Sequence, residues 1–138
     1  MYLKIKLDPY AKMPTKAHPT DAGLDLYCIT GGTVWPHEPL TVDTGVHIEI
    51  PAGYFGSVRS KSGLMVNHNL TATGVVDSGY TGAIKVHLIN HGNQPYEVKV
   101  GDKVAQLIIE PVAAVSLVRV EELGETDRGD NGFGSSGR

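Results

Sequence analysis

The chain has 138 residues, enough for one domain with a single core, and a formal net charge of −3. So mild a charge, without long runs of like sign, argues against a protein that coats nucleic acid or lies on a membrane surface. The single cysteine, Cys28, excludes an intramolecular disulfide, and its neighbours in LDLYCIT predict a buried thiol.

The amino-terminal stretch MYLKIKLD lacks the apolar core of a signal peptide, which predicts a cytoplasmic protein. It alternates Lys with Leu and Ile, and the same period of two recurs along the chain, as in short strands with one buried face. The alternating segments are residues 3–7, 46–50, 84–88 and 97–100. Turn residues separate them, so an all-β sandwich or barrel is predicted.

Helical periodicity is weak throughout the sequence. SGLMVNHN, residues 62–69, favours one or two turns of helix with Ser62 as the cap. The six histidines lack the paired spacing of metal ligands and are predicted to be surface or packing residues. The folded domain is predicted to span residues 1–123, followed by a flexible arm of residues 124–138 that is rich in Gly and Ser.

Two early segments carry residues suited to binding anions or cations. In DAGLDLYC, residues 21–28, Asp25 is expected to point away from the core, where its carboxylate could help hold a hydrated divalent cation. VRSKSGLM, residues 58–65, combines Arg59 and Lys61 with serine hydroxyls. That combination suits either a phosphate or an ordinary solvated turn.

Two later segments add a candidate general base and a buried amide. GVVDSGYTGAIKV, residues 74–86, predicts a strand, a tight hairpin and a second strand. Asp77 on the turn is either a turn former or a general base that orients water, and Tyr80 could pack flat on a sugar ring. GDKVAQLIIEP, residues 101–111, predicts a buried strand whose Gln106 must bond to backbone or to a ligand oxygen.

The tail RGDNGFGSSGR, residues 128–138, is too polar and too rich in glycine to fold alone, yet it carries the large ring of Phe133. It is either a flexible linker or an arm that orders on a ligand, with Arg128 meeting phosphate and Phe133 stacking on a base. RGD strings also occur in adhesion proteins, but three residues recur by chance and no export signal accompanies them.

Taken in this order, the segments resemble the five motifs of the homotrimeric dUTPase family. The matching stretches are AGLDL (22–26), RSKSGL (59–64), GVVDSGYTG (74–82), GDKVAQLII (101–109) and RGDNGFGSSG (128–137). The resemblance implies a jelly-roll-like subunit of the β-clip type, assembled as a homotrimer with sites at subunit interfaces. It also implies Mg²⁺-dependent hydrolysis of dUTP to dUMP and pyrophosphate, which supplies dUMP for dTMP synthesis and limits uracil incorporation into DNA. The implied partners are a small-molecule nucleotide and copies of the chain, with no nucleic acid and no membrane.

The resemblance also assigns roles to individual residues. Asp77 corresponds to the catalytic residue that orients the attacking water, and Asp25 to a residue that reaches the metal through water. Backbone of residues 70–76 would pair with the uracil edge, and Tyr80 would lie under the deoxyribose. The implied substrate contacts are Arg59, Ser60, Lys61, Ser62, Gly63, Thr71, Gly74, Val75, Val76, Tyr80, Lys85, Gln106, Arg128, Phe133, Gly134 and Ser135.

The sequence departs from the family pattern at three places. Asn131 replaces a glycine in the tail and is expected to stiffen the lid slightly. Lys61 precedes Ser62, so either Ser60 or Ser62 can be the serine of the second motif, and Thr71 stands where many members have Asn. Two alternatives stay open. One is a catalytically silent, dUTP-binding regulatory trimer; the other is a relative of dCTP deaminase, although His87 stands where that family has its glutamate.

Overall fold

The computed structural model describes residues 1–137; Arg138, the last residue of the predicted arm, lies outside the described residues. The described chain contains ten strands and one short helix, so the all-β prediction is confirmed. In chain order the elements are β1 (Lys4–Leu7), β2 (Leu24–Tyr27), β3 (Gly32–Val34), β4 (Pro39–Asp43), β5 (Val46–Glu49), β6 (Tyr54–Arg59), α1 (Ser62–His68), β7 (Leu70–Val76), β8 (Lys85–Asn90), β9 (Tyr96–Val98) and β10 (Lys103–Pro111).

Six strands form the main sheet in the order β2-β10-β6-β7-β8-β4, while β1 with β5 and β3 with β9 form two smaller sheets. All the pairs are antiparallel. The sheets enclose one core of Val, Leu and Ile side chains, in which Leu26, Leu70, Leu88 and Leu107 are almost fully buried. This antiparallel enclosure of a single core agrees with the jelly-roll-like fold that the sequence implies.

The alternating segments form strands as predicted, as β1, β5, β8 and β9. The last of them ends at Val98, earlier than the sequence indicates. A turn follows, because the Asp102 amide donates to the Lys99 carbonyl at 3.0 Å and Gly101 has a φ of 93°. Cys28 is buried, as its apolar neighbours predict.

The predicted helix exists, but its cap differs from the prediction. Lys61 is the N-cap and no side chain caps α1, because Ser62 is already the first helical residue. The cap position needs extended backbone with the side-chain oxygen turned back to the helix amides, which Ser62 does not have. Asn69, in the left-handed conformation with a φ of 56°, ends the helix.

The connection between β7 and β8 is a long loop, residues 77–84, and the prediction of a tight hairpin is wrong. The two strands pair only where residues 70–72 face residues 88–90. From residue 73 onward β7 pairs with β6 instead, and β8 pairs with β4 along residues 85–89. Because β7 and β8 separate at this point, the main sheet opens into a cleft at their ends.

The packed part of the described chain ends with β10. Residues 112–137 are exposed and form neither strand nor helix. The prediction of a domain boundary at residues 123 and 124 stays a prediction; residues 112–123 carry several exposed valines and leucines that pack little on their own chain. Within residues 1–137, no helix has the length and apolar character needed to cross a bilayer.

Candidate functional site

The cleft between β7 and β8 is a pocket of about 270 Å³. Its lining residues are Val58, Gly74, Val75, Val76, Asp77, Tyr80, Ala83, Ile84 and Lys85. Aliphatic side chains form its base, while Asp77 and Lys85 bring one negative and one positive group to its rim. An apolar slot with a few charged groups at the mouth is typical of a small-molecule site.

One wall of this pocket is the free edge of β7. Residues 73–76 pair with β6 on one side, but the side facing β8 is unpaired after residue 72. Backbone N–H and C=O groups on such an edge require partners. They can therefore hydrogen-bond the edge of a flat heterocycle, much as a strand edge accepts a peptide.

Tyr80 forms the opposite wall and is fixed at both ends. Its backbone amide donates to the Asp77 carbonyl at 3.0 Å, and its hydroxyl donates to the Ala83 carbonyl at 2.9 Å. The ring lies against Gly82, where a Cβ would come within 2.9 Å of the Tyr80 Cε2 atom. The loop thus holds an aromatic face, 47% exposed, beside the pocket.

A polar row crosses the main sheet next to the pocket. Thr73 of β7 faces Arg59 of β6, Arg59 faces Gln106 of β10, and Gln106 faces Asp25 of β2. Directly opposed residues project from the same face of a sheet. Gln106 Nε2 donates to the Ser60 carbonyl at 3.1 Å, which satisfies the partner requirement that the sequence predicts.

Arg59 is exposed but held in place. Its Nε donates to Ser57 Oγ at 2.7 Å, and one terminal nitrogen lies 3.6 Å from a Glu110 carboxylate oxygen. The guanidinium therefore keeps donors free for an anion. A bound polyanion would displace Glu110 from Arg59, because an exposed ion pair contributes little to stability.

Asp25 is not part of the apolar core, but its carboxylate is also closed to solvent. Its side chain is 6% exposed, because Lys61 and Lys103 both pair with its carboxylate, the Lys103 Nζ at 3.2 Å. Burial raises the pKa of the Asp25 carboxyl, but the hydrogen bonds and charges of the two lysines outweigh burial and hold this pKa below its usual value. Both oxygens face ammonium groups, so Asp25 offers no open position for a direct metal bond.

The two serines of the second motif differ in their contacts. Ser60 Oγ accepts from the Ala72 amide at 2.9 Å and donates to the Ala72 carbonyl at 3.1 Å, which ties the end of β6 to β7. Ser62 is exposed at the first turn of α1, and the space around Gly63 is open. Ser60 therefore has a structural partner, whereas Ser62 faces solvent.

Comparison with known proteins decides the family. The dUTPase family model matches residues 9–137. The chain belongs to the dUTPase family. A deoxyuridine 5'-triphosphate nucleotidohydrolase of Clostridium acetobutylicum is 41% identical over 98% of this chain and 96% of its own length. The same enzyme of Leifsonia xyli is 46% identical over 91% of this chain and 86% of its own.

Solved structures of dUTPases share the fold. The dUTPase of Staphylococcus bacteriophage 80alpha with dUpNHpp has a TM-score of 0.92 at 30% identity, and the match covers 99% of each chain. A mutant dUTPase of phage phi11 of S. aureus, in which a structural Mg(II) ion is coordinated, has a TM-score of 0.83 at 29% identity, covering 88% of this chain and 98% of the other. The resemblance to dUTPases is thereby confirmed.

This dUTPase-family chain does not bring every predicted residue to the pocket. Thr71 bonds His91 at 2.7 Å between their Oγ1 and Nε2 atoms and does not line the cleft. Arg128 donates from Nε to the Asn131 carbonyl at 2.9 Å, within the exposed arm. Phe133 is fully exposed. The arm residues Gly134 and Ser135 are exposed as well, so the single chain leaves its fifth motif without a packing surface.

Two residues near the site were missed by sequence reasoning. Lys103 pairs with Asp25, and His47, predicted only as a surface or packing residue, bonds the loop that carries Tyr80. Each contact joins segments far apart in the chain: the pairing of β10 with β2 brings Lys103 to Asp25, and the His47 side chain reaches from β5 to the loop 77–84. Only the sheet order could have revealed them.

Gly23→Ala is expected to lower the midpoint of thermal unfolding. A Cβ at residue 23 would lie 2.9 Å from both Cβ and Cδ of Gln106 and would overlap its amide oxygen. Gln106 would then have to leave the Ser60 carbonyl, and such overpacking costs about 1–3 kcal/mol. Scanning calorimetry measures the shift, with Gly63→Ala as the control because the space there is open. Equal midpoints for the two variants would contradict this account.

Proposed function

We propose that the chain is a dUTP diphosphatase, which hydrolyses dUTP to dUMP and pyrophosphate with Asp77 orienting the water that attacks the α-phosphorus. The observation that carries the proposal is the cleft between β7 and β8, which combines an open strand edge with an aromatic wall and ends at the exposed Asp77. Membership of the dUTPase family supports it. The relatives named above are nucleotidohydrolases for deoxyuridine triphosphate.

The free edge of β7 is the proposed reader of the base. Gly74, Val75 and Val76 present backbone donors and acceptors in a fixed order, which would match uracil and leave buried groups unpaired against cytosine. The aliphatic floor around Val58 and Ile84 leaves little room for the methyl group of thymine. Thr71, bonded to His91, would take no direct part in this pairing.

The ring of Tyr80 is the proposed support for the deoxyribose. Because its hydroxyl is tied to the Ala83 carbonyl and its face to Gly82, the ring cannot move aside easily. A 2'-hydroxyl on the sugar would therefore meet a fixed surface, which disfavours UTP. Lys85, at the pocket rim, would contact the nucleotide from the other side.

The phosphates are proposed to lie along the polar row. Arg59 supplies bidentate donors, Gln106 an amide, and Lys61 an ammonium group. We assign the serine contact to Ser62, with the backbone of Gly63, because Ser60 already bonds Ala72 in both directions. In the reaction the Asp77 carboxylate accepts a proton from water as oxygen bonds to the α-phosphorus, and pyrophosphate leaves.

The protein side chains around the site suit a Mg²⁺ ion that is bound mainly by the phosphates of the substrate. Within residues 1–137, no cluster of three or more His, Cys, Asp or Glu side chains could hold a metal ion. Asp25, paired with two lysines, can reach a hydrated ion only through water. Mg²⁺ usually keeps several waters and binds substrate phosphates, where it neutralises charge. The protein's own part is the placement of Asp25, Lys61 and Lys103 beside that charge.

The segment after β10 supports a homotrimer. Val112, Val115, Leu117, Val118, Val120 and Leu123 are all at least half exposed in the single chain. An apolar run of this kind requires a covering surface, and a second copy of the chain would supply it. The arm that follows, with Arg128, Phe133, Gly134 and Ser135, would then reach a neighbouring subunit's cleft and close over the nucleotide.

Pyrophosphate release from dUTP, dCTP, dTTP and UTP tests the function. We expect turnover of dUTP with Mg²⁺, a loss of at least about a hundredfold in kcat/KM for each of the other nucleotides, and little turnover when Mg²⁺ is chelated. Ammonia release from dCTP would instead support a deaminase. Tight dUTP binding without turnover would support the silent regulatory trimer.

A further inference from the structure

His47 of β5 joins the loop between β7 and β8 to the end of β1. Its Nδ1 lies 2.8 Å from the Thr81 carbonyl oxygen, and its Nε2 lies 3.0 Å from Asp8 Oδ1. Thr81 directly follows Tyr80, whose ring lines the pocket. The imidazole therefore forms a bridge from Asp8, after β1, to the loop that supports the proposed sugar site.

Both partners of the ring are acceptors. A carbonyl oxygen and an ionised carboxylate cannot donate, and neutral imidazole has only one N–H group. In either neutral tautomer one ring nitrogen would turn its lone pair toward an oxygen. Only the imidazolium form, with two N–H donors, satisfies both contacts at once.

The surroundings of the ring contain charges of both signs. Lys6 of β1 stands opposite His47 in the strand pairing, and Lys4 and Glu49 in the same groove pair with each other at 2.9 Å. The hydrogen bond to the Thr81 carbonyl, followed by the bond to Asp8, raises the pKa of His47 above its ordinary value, against smaller opposing effects of burial and Lys6. The His47 side chain is 21% exposed, so solvent reaches it.

We propose that His47 is a positioning residue for the substrate loop, in which the imidazolium form fastens Thr81 to Asp8 and so holds Tyr80 against the pocket. The neutral form gives up one of the two bonds and loosens the loop. Since Tyr80 supports the substrate and Asp77 performs the chemistry, the loss should affect KM more than kcat.

The direction in which the KM for dUTP changes with pH follows from the raised pKa of His47. Both hydrogen bonds of the His47 imidazolium are fully present below the ordinary histidine pKa, about 6.5. One of them is lost as the pH rises through the raised pKa that His47 has in the folded protein. KM for dUTP should therefore increase by about threefold between about pH 6 and about pH 9. The dependence on His47 distinguishes this rise from titration of the nucleotide itself.

The first test needs no turnover. NMR titration of the intact protein should find the His47 ring titrating above its ordinary value, with the Thr81 and Gly82 amide signals shifting in the same range. In Asp8→Asn the His47 pKa should fall back toward the ordinary value, because the carboxylate is gone. An ordinary pKa in the unmodified protein, or amide signals that do not follow the ring, would overturn the proposal.

The second test rests on the proposed function. KM and kcat for dUTP are measured across the same pH range for the unmodified chain, His47→Gln and the control His87→Gln, whose ring bonds Thr41 away from the loop. His47→Gln should lose the threefold rise, and His87→Gln should keep it. Identical KM profiles in all three proteins would overturn the proposal. Absence of dUTP turnover would reject the proposed function alone and leave the titration as the deciding result.

Discussion

Asp77→Asn is expected to lower kcat for dUTP hydrolysis by about a thousandfold or more, while the affinity for the nucleotide stays within about threefold. Asp77 ends β7 at the mouth of the pocket and is exposed to water. Asparagine has nearly the same shape and can still hydrogen-bond a water, but it cannot accept the proton released as that water attacks phosphorus. The chemical step should therefore fail while the base and sugar contacts survive.

Two measurements separate these effects. Pyrophosphate release gives kcat, and calorimetry with the imido analogue dUpNHpp gives affinity without turnover. Gly79→Ala is the matched control, because it alters the same loop at a position with open space and leaves the carboxylate in place. A variant Asp77→Asn that retains more than about a tenth of the activity would remove Asp77 from the catalytic role.

Local patterns in the sequence were sufficient to predict most strands. The alternation in residues 3–7 and 84–88 marks β1 and β8 because one face of each strand packs on the core. The loop 77–84 could not be predicted in this way. Residues 74–86 contain the Asp, Gly and alternating apolar residues of a hairpin, and only the competing pairing of β7 with β6 shows that the strands separate.

The residues of the site also divide into those that the sequence predicts and those whose surroundings depend on contacts between distant segments. Motif resemblance supplied Asp77, Tyr80 and Gln106, which the structure places in the cleft or on the adjoining row. The surroundings of Asp25 could not be predicted, because its flanking leucines indicate only that its side chain points away from the core. Whether a carboxylate on that strand meets water or two lysines depends on β10 lying beside β2, a contact between distant parts of the chain.

Removal of residues 124–138 is expected to lower kcat/KM for dUTP by about a hundredfold or more. Phe133 is fully exposed and Arg128 bonds only within the arm, so the single chain gives neither residue a packing surface. Stacking on a base is worth about 1–3 kcal/mol. A charged hydrogen bond adds about 1.5–3 kcal/mol, and a hundredfold in rate corresponds to about 2.7 kcal/mol. Closure over the nucleotide would thus account for a loss of this size.

A longer truncation, after Pro111, distinguishes the arm from the segment before it. Removal of residues 124–138 should leave the molecular mass of a trimer in light scattering, because the exposed valines and leucines of residues 112–123 remain. Truncation after Pro111 should yield smaller species, since the exposed valines and leucines that another copy would cover are gone.

Phe133→Trp should keep most of the activity that Phe133→Ala loses, because it retains an aromatic face. If the arm only links or solubilises the chain, the protein without residues 124–138 and the Phe133→Ala variant will hydrolyse dUTP as fast as the unmodified chain, and the proposed lid will not stand.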